Sequence, residues 1–94
     1  MPMTISRTDH GSPGVEAADL ERYVQDRAQE MLAAANPGLM VETYADWMSD
    51  YWRVELFVVP LTALPQAETA AARLQEELQG MDVPVYVHAR SWTV

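Results

Sequence analysis

The sequence predicts an α+β domain: a two-layer sandwich with two helices on one face of a small sheet. Three observations carry this. Apolar residues recur at three- and four-residue steps over two segments, the mark of amphipathic helices. Three other segments alternate apolar with polar residues or run almost wholly apolar, as strands do. Breaker residues separate the segments in the order helix, strand, strand, helix, strand, and two helical stripes need one sheet face to bury against.

The first helix is predicted from about Val15 to Ala35. Glu16 and Asp19 lie in its first turn, where the helix dipole favours negative charge. Leu20, Tyr23, Val24, Arg27, Ala28, Met31, Leu32 and Ala35 form one stripe, with Arg27 as its polar exception. Glu21, Arg22, Gln25, Asp26, Gln29 and Glu30 fill the opposite face. Asn36-Pro37-Gly38 ends the helix, because Pro37 cannot continue it and Asn or Gly tolerates a left-handed backbone.

Leu39 to Asp46 reads as a strand, with Leu39, Val41, Thr43 and Ala45 on one side and Met40, Glu42, Tyr44 and Asp46 on the other. Tyr51 to Val59 reads as a second strand, and its apolar run Val54–Val59 suits a central position. The short Trp47-Met48-Ser49-Asp50 connection predicts a hairpin, although without Asn-Gly it leaves turn type and register open. Pro65 to Gln79 is the second helix, with Ala67, Ala70, Ala71, Leu74 and Leu78 on its stripe, Glu76 and Glu77 on its solvated face, and Gly80 as its stop. Val83, Val85, Val87 and Ala89 then alternate with Pro84, Tyr86, His88 and Arg90 in a last strand.

Residues 1–14 form a separate zone rich in breakers, either a flexible leader or, at Met3 to Thr8, a short strand; residues 15–94 form the domain. If that strand pairs, the order becomes the split βαβ arrangement of ferredoxin-like folds, with the second helix as a right-handed crossover.

Ninety-four residues, 49% of them apolar, make one modest core. The absence of cysteine excludes disulfides, thiolate metal sites and a cysteine nucleophile. No apolar run is long enough to span a membrane, and Met1 to Thr8 lack the apolar stretch of a signal peptide, so the expected compartment is the cytoplasm. Six Arg and no Lys stand against fourteen acids, and a net charge of -8 argues against binding a phosphate backbone.

With the helices over Val54, Leu56, Val58, Val83, Val85 and Val87, alternation places Arg53, Glu55, Phe57, Tyr86, His88, Arg90 and Trp92 on the far face, together with Glu42 and Tyr44. The chain has no spare element for that face except the leader, which is short and rich in breakers. Uncovered aromatic patches mark interfaces, and aromatics and Arg dominate binding hot spots. Tyr44, Arg53, Phe57, Tyr86, Arg90 and Trp92 are therefore the expected interface, and a homodimer or another protein is the expected partner.

Chemistry is harder to place. There is no phosphate-binding glycine loop, nucleophile elbow, zinc-protease motif or EF-hand, and no motif demands a cofactor. Glu42, Asp46 and Asp50 around the hairpin tip fall short of the oxygen ligands a calcium ion needs. No nucleophile, base and orienting partner can be assembled from spacing, which favours a non-catalytic protein. His88 is the one candidate metal ligand in the folded part, and it supports an alternative: a small metal- or ligand-responsive regulatory domain.

Trp47, the apolar strand Val54–Val59, the alanine-rich helix from Ala67 to Leu78 and the terminal Val85-Tyr86-Val87-His88 resemble the cytoplasmic C-terminal domain of cation diffusion facilitators over residues 36–90. The resemblance implies the same α+β fold, dimerisation and a regulatory metal, with His88 at the position of a terminal-strand ligand. Thr69 stands where that family often carries a second histidine, and the family's transmembrane portion has no counterpart, so transport does not follow.

Overall fold

The computed structural model describes residues 15–92. It contains helix α1 (Ala17–Leu32), strands β1 (Met40–Trp47) and β2 (Trp52–Val59), helix α2 (Leu64–Gly80) and strand β3 (Val85–Ser91), with short 3₁₀ turns at Ala33–Ala35 and Leu61–Ala63. The α+β order is the one the periodicity predicts, and both helices lie on one face of the sheet. Residues 1–14, with the prospective strand Met3 to Thr8, lie outside the described residues.

The sheet order is β1-β2-β3. β1 and β2 form the antiparallel hairpin, in register from Met40 opposite Val59 to Trp47 opposite Trp52. The turn is closed by the Met48 N–H, which donates to the Tyr51 carbonyl at 2.8 Å, and Ser49 takes a left-handed φ of 89°. α2 then carries the chain across to β3, which pairs parallel to β2 from Trp52 opposite Val85 to Val58 opposite Ser91. This direct pairing is where the ferredoxin-like alternative fails among the described strands. A split βαβ unit keeps another strand between these two, and here no place is left for one.

The core follows from the two periodicities. Leu20, Val24, Ala28 and Leu32 descend from α1, and Ala67, Ala70, Ala71, Leu74 and Leu78 from α2. They meet Val41 and Ala45 of β1, Val54, Leu56 and Val58 of β2, and Val85 and Ala89 of β3. Val83 is buried just before β3 begins. Trp52 is buried too, against Trp47 at a ring distance of 5.3 Å. The α1 stripe runs out one turn early: Ala35 is exposed in the 3₁₀ turn.

Of the three residues that end α1, only Gly38 is left-handed, with a φ of 78°. Asn36 acts differently. Its buried side-chain amide donates to the Leu32 carbonyl and to Gln66 Oε1, both at 2.8 Å, which closes the helix end and ties it to α2.

Two side chains expected on solvated helix faces turn inward instead. Glu77 accepts from Arg27 Nη2 at 2.7 Å, from Arg27 Nε at 3.3 Å and from the Tyr23 hydroxyl at 3.1 Å, a three-residue clasp between the helices. Glu76 stays exposed as expected. Glu21 leaves the polar face of α1 to accept the Ala45 N–H at 2.8 Å. The reason is shared: a long side chain at the margin of a stripe can reach a donor that the sequence pattern does not reveal.

Candidate interaction face

The sheet surface opposite the helices is built by alternation alone. β1 presents Met40, Glu42, Tyr44 and Asp46, β2 presents Arg53, Glu55, Phe57 and Val59, and β3 with its continuation presents Tyr86, His88, Arg90 and Trp92. The register sets Glu42, Phe57 and Arg90 in one row, Tyr44, Glu55 and His88 in the next, and Asp46, Arg53 and Tyr86 in a third.

Aromatic rings join these rows. Phe57 meets Tyr44 edge-on at 5.7 Å and Trp92 edge-on at 5.5 Å, a continuous run across all three strands. Tyr51 meets Tyr86 in the same way at 5.2 Å. Met40, Glu42, Phe57, Val59 and Trp92 line a shallow hollow at one end of the face. Met40 remains 64% exposed, Tyr86 59% and Trp92 51%, so the described residues leave the face open.

Four of its charged side chains pair within the chain. Arg90 Nε lies 2.7 Å from Glu55, and Arg53 Nη2 lies 3.2 Å from Asp46. The Tyr44 hydroxyl donates to Glu42 at 2.6 Å, and that hydrogen bond to a carboxylate raises the tyrosine pKa above its ordinary value. Of the six expected interface residues, Tyr44, Phe57 and Trp92 come into contact, Arg53 and Arg90 hold ion pairs, and Tyr86 meets Tyr51 edge-on. Met40, Val59 and Tyr51 belong to the surface as well. The parity of β1 and of the predicted strand from Tyr51 to Val59 gives all three; the contact of Tyr51 with Tyr86 requires the register of β2 on β3.

The sheet margins differ from this face. On the outer edge of β1 the Ala45 N–H is taken by Glu21. On the outer edge of β3, Gln75 Oε1 accepts the Val87 N–H at 2.9 Å, and Gln79 Nε2 donates to the Val85 carbonyl at 3.1 Å. Side chains from both helices thus occupy edge groups that would otherwise pair with a further strand.

His88 stands exposed opposite Glu55, whose carboxylate is held by Arg90. Among the described residues no group of three His, Asp or Glu side chains converges to hold a metal ion. Thr69 lies on α2, where its hydroxyl donates to the Pro65 carbonyl at 3.4 Å.

The fold and this surface define a class: a small α+β domain that buries one face of its sheet under helices and presents the other, aromatic and charge-paired. No helix among the described residues is long and apolar enough to cross a membrane. Comparison with protein-family models, with curated proteins and with solved structures returns no match to this chain.

Proposed function

We propose that this chain is a non-catalytic protein-interaction module, an adaptor or regulator of the cytoplasm, that associates through its open sheet face. The observation that supports this is the aromatic run Tyr44–Phe57–Trp92, bordered by Met40 and Val59, which the described residues leave uncovered. Contiguous exposed aromatic and apolar side chains of this kind are the surfaces that soluble domains use for interaction. Burying the run gains enough from the hydrophobic effect to offset part of the cost of association, and the Arg side chains beside it suit a hot-spot cluster.

The test compares the native chain with Phe57→Asp and Trp92→Asp by light scattering from low to high micromolar concentration, with circular dichroism to check folding. The native chain forms a complex, and both variants dissociate while remaining folded. A native chain that binds its partner as tightly as the two variants do would overturn the proposal.

A further inference from the structure

The charges on the open face are sorted by strand. β1 contributes Glu42 and Asp46, β2 contributes Arg53 and Glu55, and β3 contributes Arg90 with His88 beside it. With histidine neutral this is two negative charges, then a balanced pair, then one positive charge, so the face is nearly neutral. The helices carry seven acids (Asp19, Glu21, Asp26, Glu30, Glu68, Glu76, Glu77) against three arginines (Arg22, Arg27, Arg73). A second copy approaching the helices meets like charge, whereas one approaching the sheet does not. Edge-to-edge growth is opposed by Glu21 on β1 and by Gln75 and Gln79 on β3.

Two arrangements set the face against itself with the strands of the two copies aligned, each about a two-fold axis lying between the sheets. An axis running across the strands puts β1 over β1, so Glu42 and Asp46 gather with their own kind and Arg90 meets Arg90. An axis running along β2 puts β1 of each copy over β3 of the other. Glu42 then lies over Arg90, Tyr44 over His88 and Met40 over Trp92, while Phe57 meets its own equivalent at the centre. Glu55 and Arg53 also meet their equivalents, but each is already neutralised within its chain, Glu55 by Arg90 and Arg53 by Asp46. The guanidinium has donors enough to serve Glu55 and a second carboxylate together.

We infer that the partner of the open face is a second copy of this chain, related by a two-fold axis along β2 so that β1 of each protomer covers β3 of the other. This rests on the reading of the face as an interface, and it fixes the partner and the orientation. The result is an aligned sheet-on-sheet packing about 10 Å thick. A three-stranded face places the buried area at the small end of stable interfaces, the size class of weak or transient association.

The absence of cysteine makes the geometry easy to read. Glu42→Arg and Arg90→Glu, each alone, raise the dimer dissociation constant by roughly tenfold or more, because two symmetric contacts become repulsive at once. An equimolar mixture of the two variants restores association. A short bis-maleimide links Tyr44→Cys chains to His88→Cys chains in a mixture, and links neither to itself. If Phe57→Asp dissociates the native dimer but Glu42→Arg leaves it unchanged, or Tyr44→Cys links only to itself, the face survives as an interface and this axis is overturned. If the native chain is a monomer at high micromolar concentration, the second copy is overturned as the partner.

Discussion

Leu56→Ala tests the layer assignment on which everything else depends. Leu56 has no solvent exposure, sits in the central strand and faces the helices. The substitution removes three carbons, worth about 2.5 kcal/mol in lost transfer energy. The hole left under α1 and α2 adds about 1–2 kcal/mol, since a rigid, close-packed layer relaxes only in part. The expected loss is therefore about 4 kcal/mol, against a total stability of about 5–15 kcal/mol for a domain of this kind. Urea unfolding followed by tryptophan emission is a suitable assay, because Trp52 is buried in the folded state. The midpoint should fall by about 2–3 M with the slope unchanged. Glu76→Gln, on the exposed face of α2, is the control and should move stability by less than about 0.5 kcal/mol. Equal midpoints for the native chain and Leu56→Ala would refute the assignment of the two sheet faces.

Two further outcomes are expected. Hydrogen bonds from Arg27 hold the Glu77 carboxyl below its ordinary value of 4.5, so the clasp stabilises the fold above that value and is lost as pH falls through the lowered one; Glu77→Gln should be less stable than the native chain at pH 7 and converge with it in acid, whereas stability curves that stay parallel down to pH 3 would contradict the clasp. Titration of the native chain with Zn²⁺ should give no shift in melting temperature, because His88 lacks two further ligands among the described residues; a saturable shift abolished by His88→Ala would establish a metal site instead.

The layers were legible because the two periodicities depend on residue type alone. The alternation in β1 and β2 assigned Val41, Ala45, Val54, Leu56 and Val58 to the core and exposed Tyr44, and the alternation of β3 exposed Tyr86 and Trp92. What pattern could not supply was adjacency. The direct pairing of β2 with β3 depends on where α2 delivers the chain, and no single segment encodes that. The inward turns of Glu21 and Glu77 were illegible for a related reason. Each satisfies a donor on a distant element, Ala45 or Arg27, that is near only after folding. The residues expected at an interface could be placed on a face, but the ion pairs on that face required the register.

The two helices approach the sheet with different side chains. α1 brings Leu20, Val24 and Leu32, while the first half of α2 brings Ala67, Ala70 and Ala71. The mutational tolerance of the two halves should differ accordingly. Under α1, one branched side chain can replace another with local repacking. Under α2 the spacing is set by methyl groups, so any enlargement must lift the helix. That helix also carries Gln75 and Gln79, the side chains that occupy the margin of β3. A larger residue in the alanine stripe would thus reach beyond the core and unmask backbone at the sheet edge, converting a packing defect into a propensity to aggregate. Selection at those alanines would then act on solubility as much as on stability.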